Sequence, residues 1–286
     1  MRYRRHALSL SVRRLAGVAI TVAWLAWGTM GALAAGPDEI DRGLEQFRQM
    51  MTADPWANPA LLDADRGAAL WRRRAGPRNV SLERCDLGKG PGVVDGAFAA
   101  LPRYFRDAGR VMDTETRLIW CMEHLQGIPA AQLTETPHPA SGQPVRDLGA
   151  ITTWIASRSD GKSFGAPFRH PREKATLALG RELFFRRSGP FDFSCATCHG
   201  TENKRIRRQG LAMLIDPAEA RKVVGEWPAY RVSSTHVMTL QHRLYDCFWQ
   251  MRMPELKLGS ELAVALTAYL VKQAEGGVIA APGIKR

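Results

Sequence analysis

Cys195-Ala-Thr-Cys198-His199-Gly200 carries the most specific chemistry in this chain. Two thiols three positions apart, followed at once by an imidazole, have the spacing of c-type haem attachment. The two sulfurs reach the two vinyl groups of one porphyrin, and the adjacent ring reaches the iron on one face. A redox Cys-x-x-Cys pair would instead sit in a βαβ pattern, and no such pattern surrounds this motif. The spacing predicts one covalently bound haem c, with Cys195 and Cys198 as thioether donors and His199 as an axial iron ligand.

A broken echo of that motif stands upstream as Cys85-Asp-Leu-Gly88-Lys89-Gly90. It ends in Gly-Lys-Gly but is no phosphate-binding loop, because the leading glycine and the following Ser/Thr are missing. Set against the intact motif, Cys85 falls at Cys195, Gly88 at Cys198, Lys89 at His199 and Gly90 at Gly200. The second thiol and the imidazole are gone, so no covalent haem is expected there. The other cysteine of this half is Cys121, and in an oxidising compartment two cysteines of one small domain pair. A Cys85–Cys121 disulfide is therefore expected.

Of five cysteines, Cys247 is then left over. An odd cysteine is either a buried inert thiol or a functional one. Thiolate is a good iron ligand, and Cys247 is favoured as the second axial ligand. Met238, Met251 and Met253 compete, methionine being the usual cytochrome choice, although Met238 has a repeat counterpart in Met112 and fits a core role. His236 and His242 have no histidine counterparts. Arg243 stands four residues before Cys247, one turn away on the same face if the segment is helical. Its guanidinium suits bidentate binding of a sulfonate or carboxylate. Tyr245, Phe248 and Trp249 could wall a haem, and His124, His138 and His170 are given no role.

These residues need elements to hold them, and internal repetition supplies a plan. Gly67–Pro77 repeats as Gly180–Pro190, each reading as an amphipathic helix closed by Gly-Pro. Leu101–Cys121 repeats as Trp227–Cys247 with Pro, Tyr, Val, Met, Arg, Leu and Cys in register. Asp147–Ile155 matches Glu261–Tyr269, again with helical period. The three blocks recur in order. The expected fold is mainly α: two tandem cytochrome c-like domains related by internal duplication, residues 36–158 and 159–286, with only the second carrying haem. Ser157–Gly165 is the expected linker.

Ahead of the repeats lie five arginines (Arg2, Arg4, Arg5, Arg13, Arg14) and an uncharged run from Leu15 to Ala35 ending in small residues. This is the pattern of a cleaved export signal over residues 1–35, with a retained membrane anchor as the alternative. It predicts a periplasmic protein without a stable membrane anchor. The chain of 286 residues has a formal net charge of +12, of which +7 remains after the leader. No Lys/Arg run interleaved with aromatics points to nucleic acid. In an exported protein the basic balance suits anionic small molecules or an acidic partner.

Arg243-Leu-Tyr-Asp-Cys247-Phe-Trp-Gln-Met-Arg252, together with Cys-Ala-Thr-Cys-His and the duplicated halves, resembles the A subunit of the SoxAX cytochromes of periplasmic sulfur oxidation. The resemblance spans nearly all of the chain beyond the leader. It implies an L-cysteine S-thiosulfotransferase that joins thiosulfate to a cysteine of a SoxYZ-like carrier and passes two electrons to a cytochrome acceptor. Cys247 matches the family's catalytic cysteine, which is both an axial ligand and a persulfide-bearing nucleophile. His199 matches the other axial ligand, Cys195 and Cys198 the thioether pair, and Arg243 the substrate-binding arginine. Some members carry a second haem in this subunit; Gly88 and Lys89 place this chain with the single-haem type. Any further haem would then come from a SoxX-like partner in a heterodimer. A plain electron-transfer cytochrome, a haem peroxidase and an assembly subunit with an inert Cys247 are the competing readings.

Overall fold

The backbone path repeats itself, and the repeat can be followed residue by residue. The first half runs α1 (Ala60–Arg72), β1 (Arg103–Phe105), β2 (Arg110–Met112), α2 (Thr114–Cys121), a short α3 (Ala130–Thr134) and α4 (Asp147–Ser157). The second runs α5 (Pro171–Phe185), α6 (Cys195–His199), β3 (Arg205–Ile206), β4 (Gln209–Gly210), α7 (Pro217–Val224), β5 (Ala229–Arg231), β6 (His236–Met238), α8 (Leu240–Gln250), α9 (Glu261–Gln273) and β7 (Gly283–Lys285). This computed structural model describes residues 57–134, 147–206 and 209–285, with scattered positions between 39 and 54. The expected export signal, residues 1–35, and His138 lie outside the described residues. Among the described residues no helix is long and apolar enough to cross a membrane.

Each half is built on one tight helix crossing. Gly67 sits in the middle of α1, where a Cβ would come 2.0 Å from the Ala150 carbonyl oxygen of α4. Gly180 does the same in α5, with the Ala265 oxygen of α9 at 1.9 Å. Only a residue without a Cβ lets the two backbones approach this closely. Above each glycine an aromatic pair closes the crossing: Trp71 with Trp154 at 5.6 Å, Phe184 with Tyr269 at 5.0 Å. These contacts make Ala150 equivalent to Ala265 and Trp154 to Tyr269. The sequence register of the third repeat, which set Trp154 against Ala268, is therefore one residue out. Packing against the glycine fixes the register, whereas helical periodicity tolerates a slip.

The repeated Gly-Pro does not cap the helix. It lies in a turn beyond it, with Gly76 (φ 69°) and Asn79 (φ 50°) in one half and Gly189 (φ 74°) and Asp192 (φ 50°) in the other. Gly, Asn and Asp are the residues that tolerate this left-handed region. The second repeat holds a feature that helical reading missed, a three-residue hairpin: Tyr104 pairs with Val111 and Tyr230 with Val237. Each hairpin leads into a capped helix. The Asp113 side chain accepts from Thr116 N and the Thr239 side chain from His242 N, as N-caps do.

The two capped ends meet in the middle of the molecule. Gln241 donates through Nε2 to Asp113 Oδ2 (2.5 Å) and Thr116 Oγ1 (3.0 Å), and its Oε1 accepts from Gly259 N (2.8 Å). Its backbone N–H donates to Glu115 Oε2 (3.3 Å). Glu115 is buried, and burial, followed by the neighbouring Asp113 charge, pushes its carboxyl up to about 8. Residues 157–165 bind to both halves: Gly161 N donates to Ile279 O (2.8 Å) and Gly165 N to Ala99 O (2.9 Å). Residues from Pro37 onward thus form one body.

Candidate functional site

Ser194 starts the site. Its hydroxyl accepts from Thr197 N while the Thr197 hydroxyl accepts from Ser194 N, a reciprocal cap that makes Cys195–His199 a single helical turn. The turn sets both thiols and the imidazole on one short rigid element. His199 Nδ1 lies 2.8 Å from the Ala212 carbonyl, and the His199 carbonyl accepts from Leu214 N at 2.9 Å. A backbone oxygen at Nδ1 fixes that nitrogen as the donor and leaves Nε2 as the nitrogen with a lone pair for a metal.

Cys247 comes from α8 and lies within electrostatic reach of that turn. Burial pushes the Cys195 thiol up to about 12, with the charges of Cys247 and then Cys198 adding to it. The Cys247 thiol is likewise raised, chiefly by burial; Asp246 and Cys198 add to this, and Arg243 and Arg231 oppose it. His199 is held low by burial, with Arg243 contributing in the same direction. The structure therefore brings Cys195, Cys198, His199, Arg243 and Cys247 into mutual electrostatic reach, although α6 and α8 are far apart in sequence. Arg243 pairs with Asp246, whose carboxylate also accepts from Gln250 Nε2 at 2.8 Å.

The side chains next to these groups in the chain are largely apolar. Cys195, Ala196, Leu214, Ile215, Leu240 and Phe248 pack against the core of the second half. A porphyrin needs such a lining plus two cysteines and one or two axial ligands, and these residues meet that requirement. Of the other aromatic candidates, Tyr245 is buried, and Trp249 is exposed with Arg252 5.1 Å above its ring. Met238 is buried with Trp227 and Ala229 in a separate cluster, as its counterpart Met112 is in the first half. Met251 and Met253 follow the end of α8. His236 is buried on β6 against the His242 ring, 5.9 Å away.

The equivalent place in the first half is closed. Cys85 and Cys121 form a disulfide with Sγ–Sγ 2.00 Å across 36 residues. The Cys85–Gly90 stretch is no helical turn: Asp86 Oδ1 accepts from both Gly88 N (2.6 Å) and Gly90 N (2.9 Å). Lys89 reaches out to the Asp95 carbonyl, and Leu87 is fully buried in the core. Arg117, the counterpart of Arg243, is 2% exposed. It is clamped by Asp107 through two bonds of 3.0 and 2.7 Å and lies between the rings of Phe105 (4.1 Å) and Trp120 (4.3 Å).

Comparison with known proteins decides the family. The L-cysteine S-thiosulfotransferase subunit SoxA of Hydrogenophilus thermoluteolus is 44% identical over 276 residues, 96% of this chain and 99% of that protein. The chain belongs to the SoxA family. The SoxA of Hydrogenobacter thermophilus is 33% identical over 85% of this chain and 88% of its own. The family profile described as SoxA/TsdA, cytochrome c domain, matches residues 66–164, the half that lacks the Cys-x-x-Cys-His motif. In fold the chain follows the crystal structure of SoxXA from P. pantotrophus, with a TM-score of 0.68 at 23% identity over 84% of both chains. The fold is thus mainly helical and cytochrome c-like. Within this SoxA chain, sequence reasoning passed over Ala212, Asp246 and Arg231. The repeat contained a signal for the last two, because Trp120 and Phe105 stand at their positions in the closed half.

Proposed function

We propose that this protein is an exported, periplasmic thiosulfotransferase subunit, formed by internal duplication, whose second half holds one haem c. Cys195 and Cys198 would carry the thioether bonds, and His199 Nε2 and Cys247 Sγ would hold the iron. When bound, the haem supplies a cation that favours thiolate at Cys247 and a route for electrons. The chain's own residues do the rest. Arg243 binds the anionic oxygens of thiosulfate beside Cys247.

The reaction then balances in two steps. The Cys247 thiolate and the terminal sulfur of thiosulfate form an S–S bond, and two electrons leave to an acceptor cytochrome. The thiolate of a SoxYZ-like carrier next attacks that terminal sulfur, taking the –S–SO₃⁻ group and returning Cys247 as thiolate, so the carrier cysteine ends as Cys–S–S–SO₃⁻. A SoxX-like cytochrome is the expected heterodimer partner.

The observation that supports this best is the contrast between two equivalent sets. Cys121 is consumed by a disulfide and Arg117 is buried between two rings, while Cys247 is unbridged and Arg243 is partly exposed, paired with Asp246. The test is Cys247→Ala in the haem-loaded heterodimer, with conjugate formation followed by intact mass of the carrier. Conjugation should fall by about a thousandfold or more, the scale on which loss of a nucleophile acts, with one haem retained per subunit. Undiminished conjugation would refute the assignment and favour a plain electron carrier.

A further inference from the structure

We propose that Gln250 is a positioning residue of the Cys247 site, which through Asp246 holds the Arg243 guanidinium ready for the sulfonate end of thiosulfate; this rests on the thiosulfotransferase reading above. Arg243, Asp246 and Gln250 share one face of α8 at positions i, i+3 and i+7, and Cys247 stands one turn after Arg243 on the same helix. Arg243 donates through Nη1 to Asp246 Oδ2. Gln250 donates through Nε2 to the same oxygen at 2.8 Å. The Asp246 side chain is 7% exposed. One buried carboxylate oxygen is thus fixed by two donors, the arginine a turn before it and the amide a turn after it.

The first half shows what these contacts replace. The counterparts are Arg117, Trp120 and His124. There the Arg117 guanidinium lies 4.3 Å from the Trp120 ring, and the His124 ring stacks on Trp120 at 4.2 Å. His124 turns its Nδ1 to the Trp120 carbonyl, 2.9 Å away, and gives Arg117 no support. Arg117 needs none: Asp107 grips both of its Nη atoms, and the Asp86 carbonyl accepts from its Nε at 2.7 Å. Arg243 is held differently. Its side chain is 24% exposed against 2% for Arg117, and the position of Asp107 is taken by the neutral Ser233. The carboxylate that steadies Arg243 comes from its own helix, and Gln250 steadies that carboxylate. A guanidinium presents a planar fork that matches sulfonate oxygens only when it faces them. A fork ordered beforehand loses less freedom when the anion arrives. An amide suits the supporting place, because it donates to Asp246 without a positive charge to compete with Arg243 or a negative one to repel thiosulfate.

The test is a double-mutant cycle in the haem-loaded heterodimer of the full chain. Gln250→Met keeps the length of the side chain and removes its donor, and it is made both in the wild type and in Arg243→Ala. Thiosulfate binding is measured by calorimetry at low salt, and KM and kcat for thiosulfate at saturating carrier. In the wild-type background Gln250→Met should raise Kd and KM about fivefold, the scale of ordering one long side chain on binding, with kcat within about twofold. In the Arg243→Ala background the same change should alter Kd by less than about 1.5-fold, because the group it positions is gone. Unchanged Kd and KM in Gln250→Met, with normal wild-type conjugation, would overturn the inference and leave the function standing. Equal weakening in both backgrounds, or a loss of kcat with Kd unmoved, would also overturn it, since either pattern marks a residue that acts independently of Arg243. A cycle that behaves as expected in binding, while no protein in the set conjugates thiosulfate, would uphold the positioning role and refute the enzymatic reading. Thiosulfate that does not bind the wild type at all would overturn both. If Gln250→Met fails to fold, Gln250→Ala takes its place in the same cycle.

Discussion

The two halves of this chain share a backbone plan and differ in the side chains set on it. Both have a glycine at the helix crossing, a hairpin, a capped helix, an arginine one turn before a cysteine, and that cysteine facing an upstream motif. In the first half every reactive group is spent. Cys121 is bonded to Cys85, and Arg117 is held by Asp107 and two rings. In the second half Cys247 is unbridged, and Arg243 pairs with Asp246 of its own helix. Phe105 becomes Arg231, Asp107 becomes Ser233 and Trp120 becomes Asp246. A handful of exchanges, not a new fold, separates the two halves.

The largest effect expected from breaking this contrast is on stability. Replacing Cys85 and Cys121 together by alanine removes a cross-link across 36 residues. The loop-entropy estimate for that length is about 4 kcal/mol. Denaturant unfolding of the oxidised wild type and the double variant measures it. Turnover per haem at 25 °C should stay within about twofold, because the disulfide belongs to the closed half. A loss of turnover matching the loss of stability would mean that the first half takes part in the reaction.

Next is Arg243→Ala. Its side chain is 24% exposed and shares the Asp246 carboxylate. Removing the cation leaves Asp246 facing an incoming dianion, so kcat/KM for thiosulfate should fall roughly 30- to 100-fold, the lower part of the range for truncating one member of a charge pair. Steady-state kinetics with the haem-loaded heterodimer decides it, and a change below threefold would remove Arg243 from the site. A smaller effect is expected when the closed half's clamp is copied into the open one. Ser233→Asp supplies the carboxylate that Asp107 gives Arg117, and KM for thiosulfate should rise about tenfold with haem content unchanged. Lower KM in that variant would contradict the assigned polarity of the site.

Much of this was legible in the sequence because it was written twice. Cys-x-x-Cys-His fixes a covalent chemistry by spacing alone, and matched Arg and Cys positions identify a shared scaffold. The hairpins escaped because each strand has three residues, too few for alternation to show against a helical background. The slipped register of the last helix arose because period alone cannot distinguish Trp154 over Ala268 from Trp154 over Tyr269. Gly67 and Gly180 resolve it only once their partners' carbonyls are located. The orientation of His199 by Ala212 was illegible for a different reason: a backbone oxygen carries no sequence signature.

The last contrast concerns the seam where the halves meet. Asp113 and Glu115 on one side face Thr239 and Gln241 on the other, so an acidic pair opposes its neutral counterparts. Burial, then the Asp113 charge, pushes Glu115 from an ordinary 4.5 up to about 8, while the Thr239 hydroxyl and the Gln241 amide act against the shift. An unfolded chain releases this proton near 4.5, whereas the folded protein keeps it until about 8. The folded form therefore binds more protons between those values, and the stability contributed by this group declines as pH rises through the window. Below 4.5 and above 8 the group adds no further pH dependence. Glu115→Gln keeps an oxygen for the Gln241 amide and removes the titration. The melting temperature of the variant minus that of the wild type should increase steadily from pH 5 to pH 8. Parallel curves across that range would show that Glu115 titrates alike in both states, and that the seam tolerates an acidic pair without holding a proton.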